Sequence, residues 1–148
     1  MTEALVKLDF DDRGEAGRIA WVTFNNPAKR NALGLAGKEQ FVEVMTGLKH
    51  DESLRAVVVT GAGDKSFVGG TNIAEMAEFD LAQAENSATW THRVCDAVRQ
   101  CPVPVIARIN GYCFGSGMEI AACADMRAAA DHAKFGMPET RHGIPSGM

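Results

Sequence analysis

The sequence predicts an α/β fold with a largely parallel sheet, in one domain over residues 1–148. Short apolar runs, which are typical of buried strands, alternate with stretches of helical periodicity. Two glycine-rich turns each lie between an apolar run and the start of a helix. No linker, low-complexity segment or internal repeat divides the chain. Its 148 residues, 46% hydrophobic and 23% charged, are ordinary for one soluble globular domain.

The first half of the chain begins with two predicted strands, residues 5–10 and 19–24, joined by a turn-rich link. A proline at position 27 ends the second strand. Apolar residues at positions 35, 41, 42, 45 and 48 fit one face of a helix, and the continuous apolar run 56–60 predicts a buried parallel strand.

The second half opens with a glycine turn at residues 66–72. Asn72 and Glu75 resemble a capping box for a helix over 73–79, and a longer helix is expected over 84–101, where Pro102 and Pro104 stop it. A strand to residue 109, a second glycine turn and a further helix follow. The last predicted strand is 126–130, and the tail from 135 to 148 is predicted as loop.

Bulk composition excludes several functional classes. Net charge is −4 with the signs mixed, which favours neither nucleic acid nor an anionic membrane as a partner. No signal peptide and no membrane-length apolar run is visible. The four cysteines form no C-x-x-C pair and the four histidines have no metal-ligand spacing. We therefore expect free thiols, no metal and a reducing compartment such as the cytoplasm.

The turn at residues 110–119 is the main chemical signal. A glycine-rich turn that opens a helix exposes backbone N–H groups at the positive end of the helix dipole, and Glu119 falls in the first helical turn. The dinucleotide fingerprint fails, because Ile120 replaces the third glycine, and no P-loop lysine is present. Each feature also has a plain structural explanation: glycines make tight turns, a carboxylate near a helix N-terminus is common, and Glu139 could be an ordinary loop residue.

Four segments together resemble the crotonase (enoyl-CoA hydratase/isomerase) superfamily. Residues 25–33 (NNPAKRNAL) are similar to its acyl-CoA-binding loop, and residues 66–73 (SFVGGTNI) to its first oxyanion turn. Residues 104–112 (PVIARINGY), leading into 115–119 (GSGME), are similar to its second oxyanion turn. Residues 135–139 (FGMPE) resemble the segment with its second carboxylate. One departure is Thr71 and Asn72, where the family usually has Ala-Asp.

The resemblance implies a ββα spiral core, with the family's C-terminal helical region missing from residues 1–148. It implies an oxyanion hole from the backbone N–H groups of Gly69 and Ser116, with Glu119 and Glu139 as acid and base. The substrate-binding positions it implies are Lys29, Arg30, Ala32, Gly70, Asn72 and Gly115. No cofactor is expected beyond the coenzyme A of the substrate, and the expected assembly is a homotrimer or a dimer of trimers.

The resemblance implies hydration of a trans-2-enoyl-CoA, because having both glutamates favours hydration over the family's isomerases. The alternatives are an enoyl-CoA isomerase, an acyl-CoA hydrolase that shares the enolate intermediate, and a non-catalytic fragment that keeps the fold.

Overall fold

The computed structural model describes residues 4–143 and residue 146. It contains eight strands and four α-helices in the described part of the chain. The strands are β1 (Val6–Asp12), β2 (Arg18–Phe24), β3 (Leu54–Gly61), β4 (Ser66–Val68), β5 (Val105–Ile109), β6 (Tyr112–Phe114), β7 (Met126–Ala129) and β8 (Lys134–Gly136). The helices are α1 (Leu35–Leu48), α2 (Ile73–Met76), α3 (Leu81–Arg99) and α4 (Ser116–Cys123), and short 3₁₀ turns occupy Gly14–Ala16, Pro27–Lys29 and Pro138–His142.

A five-stranded sheet carries the fold, in the order β1-β2-β3-β5-β7. Only β1 runs antiparallel to its neighbour, and β2, β3, β5 and β7 are parallel. The residues of β3 explain its central place, because its last five residues are all buried and a strand covered on both faces must be apolar. The predicted α/β fold with a largely parallel sheet is confirmed.

A second sheet of three short parallel strands, in the order β4-β6-β8, lies apart from the first. None of these three strands was predicted from the sequence: residues 66–68 were assigned to a glycine turn, the strand ending at Ile109 was followed directly by a turn, and the tail from residue 135 was assigned to loop. Strands of three residues are too short to show a period in the sequence. They are defined instead by pairing with one another, as when Cys113 in the buried centre of β6 pairs with both Val68 and Phe135.

The two sheets are linked by a repeating ββα order. β3, β4 and the helices α2 and α3 form one unit, β5, β6 and α4 the next, and β7, β8 and the 3₁₀ turn Pro138–His142 the third. Each unit gives one strand to each sheet. The spiral of ββα units is therefore confirmed, although no repeat is visible in the sequence.

The helices differ from prediction mainly at their ends. α1 has the predicted bounds, whereas α3 begins at Leu81 because Asp80 and Gln83 form a reciprocal capping box. The predicted capping box of Asn72 and Glu75 is wrong. The Asn72 amide donates to Glu75 Oε2 at 3.2 Å, and Glu75 Oε1 accepts from the N–H of Leu35 at 3.0 Å, so Glu75 caps the start of α1 instead.

The core lies between the large sheet and helices α1 and α3. Phe24 on β2 stacks on Phe41 of α1 with ring centroids 5.0 Å apart, and Phe67 meets Phe24 edge-on at 6.2 Å. All three rings are buried, and full burial of each contributes about 1.5–3 kcal/mol. Because Phe24 lies on β2 and Phe67 on β4, this cluster joins the second sheet to the first. None of the helices in the described residues combines the length and the apolar character that a membrane span requires.

Candidate active site

The second glycine turn places the start of α4 at the end of β6. Gly115 has a φ of 51°, in the left-handed region that favours glycine, and its N–H donates to Gly136 O at 3.0 Å. The helix then begins at Ser116, whose N–H belongs to the first turn and has no acceptor within the helix. Ser116 is buried, and its Oγ has no hydrogen-bond partner in the described part of the chain. The N–H of Ser116 therefore lies in the first turn of α4, directly after the second glycine turn.

The first glycine turn contradicts the role predicted for Gly69. The Gly69 N–H donates to Arg30 O at 2.9 Å, so this hydrogen is already used to hold the loop before α1. Farther along the same two segments, the Leu33 N–H donates to Gly70 O (2.9 Å) and Leu33 O accepts from the N–H of Asn72 (3.1 Å). Because successive N–H groups of extended backbone point to opposite sides, the N–H of Thr71 faces away from Leu33. Among the residues described, none accepts a hydrogen bond from it.

The second turn lies against the first, and at Gly117 the packing leaves no room for a side chain. A Cβ added to Gly117 would lie 2.3 Å from Val68 O, and one added to Gly115 would lie 3.8 Å from the Cα of Gly70. The latter would also lie 2.6 Å from Glu139 Oε1. Both oxyanion turns and one predicted catalytic carboxylate therefore meet at Gly115.

The two glutamates reach this place from different units. Glu119 lies one helical turn after Gly115, is 3% exposed, and its Oε1 accepts from Ser146 Oγ at 2.7 Å. Glu139 lies in the 3₁₀ turn Pro138–His142, and its Oε2 is buried without a hydrogen-bond partner among residues 4–143 and 146. A buried carboxylate oxygen without a partner, on a side chain that lies beside Gly115, is typical of a site that binds a polar ligand.

The predicted substrate-binding residues divide between two surfaces. Lys29, Ala32 and Asn72 line one cavity of about 220 Å³, next to the loop before α1. Arg30, with a positive φ of 55°, instead lines a groove of about 890 Å³ on another face, where its guanidinium lies 5.3 Å from the ring of Tyr112. Gly70 and Gly115 lie at the two turns themselves. The structure thus brings five of the six positions to the turns and the adjoining loop, and separates the side chain of Arg30 from them.

Two residues of this region escaped the sequence analysis. Thr71 was noted only as a departure from the family pattern, although the alternation of N–H directions beyond β4 could have indicated its free donor. Lys38 lies on the apolar stripe of α1, three residues after Leu35 and three before Phe41, and it is 2% exposed. A lysine that interrupts an apolar stripe was the available signal for an internal charge.

No group of three or more histidine, cysteine, aspartate or glutamate side chains in the described residues could hold a metal ion.

Comparison with known proteins shows the family to which the chain is similar. Residues 14–148 match the family described as enoyl-CoA hydratase/isomerase. The short-chain-enoyl-CoA hydratase of Clostridium acetobutylicum is 37% identical over 132 residues, which is 89% of this chain and 51% of that protein. The crotonyl-CoA hydratase of Syntrophomonas wolfei is 35% identical over 131 residues, which is 88% of this chain and 50% of that protein. The chain thus spans about half the length of these curated relatives.

Solved structures give the same result for the fold. The enoyl-CoA hydratase of Bacillus anthracis superposes with a TM-score of 0.88 at 30% identity, covering 97% of this chain and 54% of that one. An enoyl-CoA hydratase/carnithine racemase of Magnetospirillum magneticum gives a TM-score of 0.89 at 34% identity, covering 97% and 53%. With its ββα units, its paired glycine turns and this match over most of its length, the chain belongs to the enoyl-CoA hydratase/isomerase family.

Proposed function

We propose that the protein carrying this chain adds water across the double bond of a trans-2-enoyl-CoA. The observation that carries the proposal is the meeting of both glycine turns with Glu139 at Gly115, where the Glu139 carboxylate would lie 2.6 Å from an added Cβ. The names of the hydratases to which the chain is similar support the same reaction class.

The oxyanion hole in this proposal consists of the N–H groups of Ser116 and Thr71. Thr71 replaces Gly69, because the Gly69 N–H is already bonded to Arg30 O at 2.9 Å. As water adds at C3, negative charge collects on the thioester oxygen. Preorganised donors that point at this oxygen stabilise the enolate-like transition state, and one such donor typically contributes about 2.7–4 kcal/mol.

Glu119 and Glu139 divide the proton transfers. One carboxylate accepts a proton from water as the water oxygen forms its bond to C3. The C2–C3 π electrons move toward the thioester oxygen, and a proton is then delivered to C2 as the carbonyl re-forms. One water is consumed and both of its hydrogens are retained in the product. General acid and base groups placed in this way contribute typically 10²–10⁴-fold each.

The remaining parts of the proposal concern binding and assembly. Lys29, Ala32 and Asn72 line the cavity beside the loop before α1, and we assign the coenzyme A portion of the substrate to this side of the site. No cofactor is required, since coenzyme A belongs to the substrate. Assembly as a homotrimer or a dimer of trimers, and a cytoplasmic location, stay predictions.

Substitution of the two glutamates tests the proposal. We expect wild-type protein to remove the absorbance of a short trans-2-enoyl-CoA, and Glu119→Gln or Glu139→Gln to lower kcat by about 10²–10⁴-fold because one proton transfer is lost. Glu39→Gln serves as a matched control, because Glu39 is exposed on α1 and should leave kcat unchanged. Full activity in either active-site variant would contradict the assigned roles.

Product analysis separates hydration from the related reactions. A 3-hydroxyacyl-CoA product from a 2-enoyl-CoA supports hydration. Conversion of a 3-enoyl-CoA to the 2-enoyl isomer without hydration would indicate an isomerase, and release of free coenzyme A would indicate a hydrolase.

A further inference from the structure

The first glycine turn lies against the segment before α1 as a very short parallel ladder. The Leu33 N–H donates to Gly70 O at 2.9 Å, and the Asn72 N–H donates to Leu33 O at 3.1 Å. Thr71 is the residue that pairs with Leu33, and this bridge belongs to no longer strand. The bridge that fixes the Thr71 backbone therefore gains rigidity from contacts made beside it.

Glu75 adds two hydrogen bonds across the same pair of segments. Its Oε1 accepts from the Leu35 N–H at 3.0 Å, and its Oε2 accepts from the side-chain amide of Asn72 at 3.2 Å. Leu35 begins α1, so the carboxylate also lies at the positive end of that helix. A Cβ added to Gly34 would collide with Glu75 Oε2, so glycine leaves the room that the carboxylate occupies. Glu75 thus joins the two segments directly beside the bridge that holds Thr71.

The two helices that Glu75 connects lack side-chain caps of their own. α1 begins after Gly34 and α2 after Asn72, and no side chain of these N-cap residues caps its helix. A polar side chain at the N-cap normally satisfies a free N–H locally, and α3 has such a cap in Asp80 and Gln83. In α1 the N–H is satisfied instead by a residue 40 positions away in the chain. The arrangement therefore does more than cap a helix, because it ties the start of α1 to the first glycine turn.

We propose that Glu75, together with Asn72, is a positioning residue that fixes the Thr71 N–H for the oxyanion hole. This role rests on the proposed function, in which the N–H groups of Thr71 and Ser116 stabilise charge on the thioester oxygen. Preorganised donors are effective because they need no reorganisation as that charge develops, and an N–H on a loosely held turn would lose this advantage. Glu75 acts through the backbone of the turn, without contact to the substrate.

The same role accounts for Asn72, which stands where the family usually has aspartate. The amide of Asn72 donates to the Glu75 carboxylate at 3.2 Å. An aspartate in this orientation would present a second negative charge to the carboxylate, and like charges at this distance repel each other. In this chain, asparagine at position 72 therefore matches glutamate at position 75.

Steady-state kinetics of Glu75→Ala tests the proposal. We expect kcat for hydration of a short trans-2-enoyl-CoA to fall by about 10–10²-fold with little change in KM, because an oxyanion donor acts on charge that develops in the transition state. Glu75→Gln should keep most of the activity, since its amide can accept from the Leu35 N–H and donate to the oxygen of a turned Asn72 amide. Gln83→Ala is the matched control. Gln83 is also the third residue of its helix, but its bonds are to Asp80 in its own capping box, so kcat should not change.

A double-mutant cycle separates positioning from general destabilisation. Asn72→Ala removes one of the two Glu75 bonds and should lower kcat less than Glu75→Ala does. Because both substitutions break the same connection, the double variant should be about as active as Glu75→Ala alone. A merely structural role predicts lower thermal stability with wild-type kcat per folded molecule. That result, or losses in kcat that simply multiply, would overturn the proposal.

Amide hydrogen exchange gives a second readout that does not depend on activity. The N–H of residue 72 closes the bridge at Thr71 through its bond to Leu33 O. We expect this N–H to exchange about 10-fold faster in Glu75→Ala than in wild type, and at the wild-type rate in Gln83→Ala. Asn72→Ala serves where Glu75→Ala does not fold, because it leaves the cap of α1 in place. An unchanged exchange rate refutes the proposal, whereas faster exchange in a protein that hydrates no enoyl-CoA would refute only the proposed function.

Discussion

Replacement of Gly117 by alanine tests whether the two glycine turns must touch. A Cβ at this position would lie 2.3 Å from Val68 O and 3.1 Å from Val68 Cβ. Both contacts belong to the rigid end of β4, and the first must lengthen to at least 3.0 Å, so α4 and β4 must separate by about 0.7 Å. Overpacking of this kind costs about 1–3 kcal/mol, offset by roughly 0.5–1 kcal/mol because alanine favours a helix over glycine.

The effect on catalysis should exceed the effect on stability. The separation moves the Ser116 N–H relative to the Thr71 N–H, and a misplacement of about 1 Å can cost on the order of 10²-fold in rate. Steady-state kinetics with a short trans-2-enoyl-CoA should show the loss in kcat, while thermal unfolding reports the change in stability. Gly47→Ala is the matched control, because it also lies in a helix but has nothing within 4 Å of an added Cβ. It should be as active as wild type and slightly more stable. Wild-type kcat in Gly117→Ala would refute the requirement for close contact between the turns.

Two further predictions concern stability. Asn31→Ala should destabilise the protein by about 2–4 kcal/mol in denaturant unfolding, because the buried Asn31 amide donates to Ala62 O (3.0 Å) and Ser66 O (2.8 Å) at a φ of 54°; loss of less than about 1 kcal/mol would contradict this. Burial raises the pKa of Cys113 from 9.0 to about 12, so the unfolded chain loses this thiol proton at lower pH than the folded protein does. The contribution of the protonated thiol to the free energy of unfolding is therefore fully present below pH 9 and is lost as pH rises toward 12. Wild type should therefore lose more stability than Cys113→Ala between pH 9 and 11, by up to about 1.4 kcal/mol per pH unit, and parallel curves would show that the thiol is not protected.

The elements that the sequence predicts well have a visible hydrophobic period or residues that clearly mark their ends. α1 shows five apolar positions on one face and has the predicted bounds, and β3 is a continuous apolar run. The short strands β6 and β8 have neither signal, because three residues cannot establish a period. Their existence depends on pairing between segments that are distant in the chain, such as Tyr112 with Lys134.

The candidate site likewise contains some residues that the sequence predicts and others that depend on contacts between distant segments. Ser116, Glu119 and Glu139 were placed by motif and order along the chain, and the structure brings their segments to the two turns. Gly69 failed as a donor because the motif does not show which of several successive N–H groups is free, and that depends on the bond to Arg30 O. The capping role of Asn72 failed for a related reason. Its neighbour Glu75 finds a better partner at the N–H of Leu35, which is distant in sequence.

The ββα order has a consequence for how chemistry can vary on this scaffold. Each ββα unit contributes part of the proposed active site. Thr71 belongs to the first unit, Ser116 and Glu119 to the second, and Glu139 to the third. Each stands just after a strand of the small sheet, so its backbone position is held by pairing that is independent of its side chain. A change of residue after β8 can therefore remove or replace one proton-transfer group while both backbone donors stay where they are. Such an architecture separates the proposed stabilisation of the enolate, which backbone groups of the first two units supply, from the proposed proton transfers, which side chains of the second and third units supply.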